Sequence, residues 1–169
     1  ELLSPKTHLN KRLIENLLFH LKKSKRPVIF AGAGIRISDM HGSFLKLVEQ
    51  LKIPVVTGWN AHDTLTNDSD YYSGRPGTVG DRAGNFTVQN ADFLLIVGSR
   101  LNIRQVSYNW KSFAKNAWKV MVDIDPSELE KPTLQIDLKI HADLKDFIPA
   151  LSESIGKYEV PIAHVQYLA

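Results

Sequence analysis

The chain has 169 residues, 43% of them hydrophobic, which is long enough to bury one substantial core and too short to promise two, so length argues for a single domain. It contains no cysteine, so disulfide frameworks, thiolate zinc sites and cysteine nucleophiles are excluded. A net charge of +3 arises from 21 Lys and Arg interleaved with 18 Asp and Glu rather than from one basic stripe, which speaks against a nucleic-acid partner.

The opening Glu1-Leu2-Leu3-Ser4-Pro5 has no initiator methionine, basic n-region or apolar h-region, and no apolar run reaches membrane-spanning length. These features predict a non-membrane chain trimmed at its start, with a cytoplasmic location as the default. Leu13, Ile14, Leu17, Leu18 and Leu21 recur at helical spacing, predicting an amphipathic helix over residues 8 to 23 that Pro27 stops. Lys22, Lys23, Lys25 and Arg26 fall at its end, where cations complement the helix dipole. His8 and His20 lie on its polar side.

Val28-Ile29-Phe30-Ala31 is an unbroken apolar run ending in Gly32-Ala33-Gly34, the pattern of a strand buried on both faces entering a tight turn. Phe44, Leu45, Leu47, Val48 and Leu51 predict the next helix, and residues 53 to 57 the next strand. Residues 58 to 80 are rich in Gly, Asn, Asp, Ser and Pro, which reads as a long functional loop. A helix around residues 81 to 90 precedes a second all-apolar strand, Phe93-Leu94-Leu95-Ile96-Val97, ending in Gly98-Ser99-Arg100.

Val120-Met121-Val122 runs into Asp123-Ile124-Asp125-Pro126. Residues 134 to 140 alternate polar and apolar, predicting a half-exposed edge strand. Leu144, Phe147, Ile148, Leu151 and Ile155 form a closing helical stripe, with a kink or late start expected at Pro149. The tail beyond Gly156 reads as linker. Strands alternating with helices imply one domain over residues 1 to 156, with a doubly wound, mostly parallel sheet and helices on both faces, a Rossmann-like α/β fold. Ligands of such folds lie beyond the C-terminal strand ends, where Gly32, Gly34, Thr57, Gly98, Arg100, Asp123 and Asp125 collect.

Gly32-Ala33-Gly34 opens a G-x-G-x-x-G pattern, but position 37 is Ile, and Thr57-Gly58 stands where an acidic residue would follow the second strand, so a standard NAD fingerprint fails twice. Arg36, Arg100 and Arg104 are candidate phosphate-binding cations. Asp123 suits a ribose hydroxyl, and Asp125 before Pro126 suits a helix N-cap. No Walker A sequence, G-x-S-x-G, H-E-x-x-H or histidine pair at metal-ligand spacing is present; the histidines read as solvent-facing or capping, and no catalytic or metal-ligating residue is assigned.

Five segments in order resemble the central domain of thiamine-diphosphate enzymes such as acetolactate synthase, glyoxylate carboligase and pyruvate oxidase. They are Arg26-Pro27-Val28-Ile29 through Gly34; Lys52-Ile53-Pro54-Val55-Val56-Thr57; Gly74-Arg75-Pro76-Gly77-Thr78-Val79-Gly80 with Ala83 to Val88; Ala91-Asp92 through Arg100; and Val122-Asp123-Ile124-Asp125-Pro126-Ser127-Glu128-Leu129. The resemblance implies a non-catalytic domain of the NAD/FAD-binding DHS-like type, joined to flanking domains that hold thiamine diphosphate and Mg²⁺. The tail would lead toward the missing C-terminal one. It implies a parent 2-oxo acid decarboxylase or carboligase, dimeric or tetrameric through those domains, and an isolated chain without turnover.

It also implies a site for FAD or an ADP-like nucleotide at Gly32, Gly34, Arg36, Thr57, Gly77, Gly80, Gly98, Arg100, Arg104 and Asp123, with Thr-Gly-Trp-Asn at 57 to 60 facing the cofactor and neighbouring domains. Three positions depart from the family: Thr78-Val79 replaces Met-His between the turn glycines, and Asn102 replaces a carboxylate between the two arginines. A sirtuin-type NAD-dependent deacylase shares the Gly-Ala-Gly turn but needs four zinc-binding cysteines. A stand-alone nucleotide-binding or electron-transfer module is the third reading.

Overall fold

A computed structural model describes residues 9–156 and 159–168. The amino-terminal pentapeptide and His8 lie outside the described residues. In chain order the elements are α1 (Lys11–Lys23), β1 (Pro27–Ala31), α2 (Gly34–Ile37), α3 (His41–Leu51), β2 (Val55–Thr57), α4 (Arg82–Asn90) and β3 (Phe93–Val97), followed by α5 (Ile103–Val106), a 3₁₀ turn (Trp110–Ser112), β4 (Trp118–Asp123), α6 (Pro126–Leu129), β5 (Leu138–His141), α7 (Leu144–Ile155) and α8 (Ile162–Leu168).

The five strands form one sheet in the order β2-β1-β3-β4-β5, every pairing parallel. This is the doubly wound architecture expected from the sequence. The continuous apolar runs follow from burial on both faces. In β1, Ile29 and Ala31 face one core while Val28 and Phe30 face the other, and β3 divides Leu95 and Val97 from Leu94 and Ile96 in the same way. The first core is closed by Leu17 and Leu21 of α1, Phe44 and Leu51 of α3, and Phe147 and Leu151 of α7. The second is closed by Val88 of α4, Val106 of α5 and Leu129 of α6, with Phe113 and Ala114 between elements.

Three local expectations are corrected. The edge strand begins at Leu138, not residue 134; its alternation is as expected, but the side chain of Asp137 accepts the Lys119 N–H at 2.8 Å and so takes the donor that further pairing would need. Helix α7 starts at Leu144 and runs through Pro149 without interruption. The tail beyond Gly156 carries α8. His20 is not a free polar-face residue either: its ring stacks on Trp118, with centroids 3.7 Å apart.

Because β1 lies between β2 and β3, the chain leaves β1 toward one edge and returns to β3 on the other side. The connections therefore diverge above the C-terminal ends of β1 and β3, opening a crevice at this switch point.

Candidate functional site at the switch point of the sheet

The crevice is a cleft of about 710 Å³, within the range of small-molecule sites. Residues following all five strands line it: Trp59 and Asn60 after β2, Gly32 and Gly34 after β1, Gly98, Arg100 and Arg104 after β3, Asp123 at the end of β4, and Lys145 after β5. Its floor is made of backbone because β1 and β3 approach closely there. Gly34 donates its N–H to Gly98 O at 2.9 Å, and a Cβ on Gly34 would stand 2.7 Å from the Gly98 Cα. Gly98 itself has φ +61°, the left-handed region that glycine enters without cost.

The expected site residues fall into two groups. Gly32, Gly34, Gly98, Arg100, Arg104 and Asp123 share the cleft wall, together with Trp59 and Asn60. The other four do not reach it. Arg36 turns toward the long loop, where its Nε lies 2.9 Å from Asp63 Oδ2 and its guanidinium also donates to Asp63 O at 2.6 Å. Thr57 is fully buried beneath the floor, with no partner for its hydroxyl among the described residues. Gly77 and Gly80 form a turn behind Arg104, where Thr78 N–H donates to Arg104 O at 2.9 Å. That turn supports the cation from the rear.

The cleft cations differ in their commitments. Arg100 sits 3.6 Å from Glu128, which also pairs with Lys131. Among the described residues no carboxylate pairs with Arg104 or with Lys145, whose ammonium sequence reasoning overlooked. Lys145 escaped because it follows the edge strand, where the sequence has no glycine or arginine to mark a site. Gln105, another lining residue not anticipated, is almost fully buried.

Asp123 is nearly buried, and its Oδ1 accepts the Asp125 N–H at 2.9 Å. Burial pushes its carboxyl above the ordinary range, and the neighbouring Glu128 and Asp125 carboxylates push the same way against the backbone hydrogen bonds. Asp125 caps α6 through Ser127 N–H at 2.8 Å, as its position before Pro126 predicts. Asn102 caps α5 through Arg104 N–H at 3.0 Å, a task an amide oxygen performs as well as a carboxylate. Asp81, in Gly80-Asp81-Arg82, uses both oxygens on backbone N–H groups, those of Arg75 at 2.8 Å and Gly84 at 2.6 Å, and is a helix cap.

Fold and cleft together define a doubly wound α/β domain with a recessed site at its switch point. The chain matches the family model described as "Thiamine pyrophosphate enzyme, central domain" over residues 14–151, and it belongs to that family. It is similar to the probable acetolactate synthase large subunit of Methanococcus aeolicus, with 33% identity over 91% of this chain and 26% of the relative. It is 39% identical to the acetolactate synthase large subunit of Lactococcus lactis over 78% of this chain and 23% of the relative. Against acetolactate synthase isozyme 2 large subunit of Escherichia coli it shows 30% identity, covering 82% and 25%. The chain thus spans about a quarter of the length of these relatives. The family match decides between the competing resemblances in favour of the thiamine enzymes.

Proposed function

We propose that this chain is the non-catalytic central domain of a larger thiamine-diphosphate-dependent 2-oxo acid decarboxylase or carboligase of the acetolactate synthase type. On this reading the thiamine diphosphate and Mg²⁺ sit in flanking domains of the same polypeptide, which also carry the dimeric or tetrameric interface, and the enzyme is cytoplasmic. Among the described residues no helix is long and apolar enough to cross a membrane. The part played by this chain is to bind FAD or an ADP-like nucleotide in the switch-point cleft.

The observation that carries the nucleotide reading is the pairing of a long cleft with cations at separate positions along it that no carboxylate pairs among the described residues. Four strand-to-strand steps of about 4.8 Å make the cleft roughly 19 Å long from β2 to β5, which suits an extended dinucleotide. Arg104 and Lys145 line the cleft and supply that positive charge. Asp123 offers a carboxylate oxygen to a ribose hydroxyl, and the half-exposed indole of Trp59 offers a face to a planar ring at the β2 end. The glycine floor lets backbone N–H groups approach the diphosphate. Bound FAD would supply a redox-active ring system, while the residues of this chain bind, orient and shield it.

Two measurements test this reading. Intact mass spectrometry of the native polypeptide should give roughly three domains' length; a native chain ending near these termini would overturn the parent-enzyme assignment. Titration of that polypeptide with FAD and with ADP, followed by flavin fluorescence and calorimetry, should show saturable binding. Absence of binding to either would remove the nucleotide role while leaving the domain assignment intact.

A further inference from the structure

Helix α8 docks at the end of the sheet opposite the cleft, and one histidine seats it. His164 is completely buried, and its Nε2 lies 3.0 Å from Ser24 O and 3.3 Å from Ser24 Oγ. Ser24 is the C-cap of α1, and its hydroxyl already donates to Leu21 O at 2.6 Å. A carbonyl oxygen only accepts, so the imidazole must carry its proton on Nε2. Nδ1 is then the bare nitrogen, and it is buried with no hydrogen-bond partner among the described residues.

The surrounding charges cannot rescue a second proton. Asp92 is the nearby carboxylate, but its two oxygens accept the backbone N–H groups of Lys25 and Arg26, each at 2.8 Å. Tyr167, one turn further along α8, packs on the second core and is also influenced by Arg26 and Asp92. Protonated His164 would therefore bury an N–H with no acceptor, a state costly enough to displace a short helix held at one corner. Consistent with this, burial holds the imidazole below its ordinary value, against weaker opposing pulls from the Ser24 carbonyl and Asp92.

We propose that α8 is a proton-released latch: neutral His164 clips it to the α1–β1 corner through Ser24, and protonation at Nδ1 undocks it while the sheet stays folded. The equilibrium is set by docked and undocked forms of this segment and does not depend on what the cleft binds. Docking weakens about tenfold per pH unit below the undocked imidazole's ordinary value near 6.5, and the weakening stops below the docked value.

Hydrogen exchange on the native polypeptide, corrected for intrinsic rates and followed from pH 8 to pH 5, tests this. The α8 amides should lose protection as the pH falls, while those of β1 and β3 keep theirs. His164→Gln retains an N–H donor at the same reach and cannot titrate, so its α8 should stay protected throughout. His164→Ala should leave α8 unprotected at every pH. Constant α8 protection in the wild type, loss in step with β1 and β3, or an unchanged pH response in His164→Gln would each overturn the latch.

Discussion

Gly32 and Gly98 meet backbone to backbone at the ends of β1 and β3, so close that a Cβ on Gly32 would overlap the Gly98 carbonyl. The Gly32 N–H donates to Val97 O at 2.9 Å, continuing the ladder into the turn. The glycine pair at 32 and 34 therefore has a structural task that precedes any ligand. Gly32→Ala should destabilise the fold by about 3 kcal/mol, lowering the melting temperature by roughly 6–12 °C. Thermal denaturation in the absence of nucleotide checks this, since a purely ligand-contacting glycine would leave that value unchanged.

Asp123 gives a pH dependence of definite sign. Its folded-state pKa is raised by burial, so its contribution to stability is present below the unfolded carboxylate range and is lost as pH rises through the folded value. Above the folded value the ionised group opposes folding. Asp123→Asn should therefore melt higher than the wild type at pH 7, the difference closing as pH falls toward 4, about the unfolded value. On the reading proposed above, the same variant should bind nucleotide about tenfold more weakly, because one charge-assisted hydrogen bond is lost.

Arg104 and Arg36 should respond differently. Arg104 lines the cleft with no carboxylate partner among the described residues, whereas Arg36 is held by Asp63 at 2.9 Å. Arg104→Gln should weaken FAD or ADP binding by about tenfold or more, and Arg36→Gln by less than about twofold. Calorimetric titration of the two variants side by side would expose an error in the placement if their order were reversed.

Asp92 is a staple between two corners. Its carboxylate accepts from Lys25 and Arg26 at 2.8 Å, while its carbonyl accepts from Trp118 N–H at 2.9 Å. Asp92→Ala leaves two backbone donors to find water and should cost about 1–3 kcal/mol in urea denaturation, with no effect on nucleotide affinity.

What the sequence disclosed and what it withheld divide along physical lines. β1 and β3 were legible because burial on both faces demands uninterrupted apolar runs, and the glycines after them were legible because strands that close end in turns. Helices α2 and α5 were not, since four residues are too few to show a period. The site followed the same rule. Gly98, Arg100 and Asp123 could be placed by topology alone, but whether an arginine is paired depends on a residue distant in sequence, as Asp63 is from Arg36. His164 was invisible for that reason. Its hydrogen-bond partner Ser24 lies 140 positions away.

The long segment between β2 and α4 does more than border the cleft. Val55 N–H donates to Tyr71 O at 2.7 Å, Ser73 N–H to Val55 O at 2.8 Å and Thr57 N–H to Gly74 O at 3.1 Å, so residues 71 to 74 run along the outer side of β2. An exposed strand margin is a template on which another chain can add, and here the protein's own loop occupies it. Among the described residues no segment covers the outer side of β5 in this way, though Lys139 on that strand is a charged guard, tied to Glu130 at 2.6 Å. Shortening the loop to trim the cleft would therefore uncover β2 and invite edge-to-edge association between molecules, so that solubility, before ligand binding, would register the change.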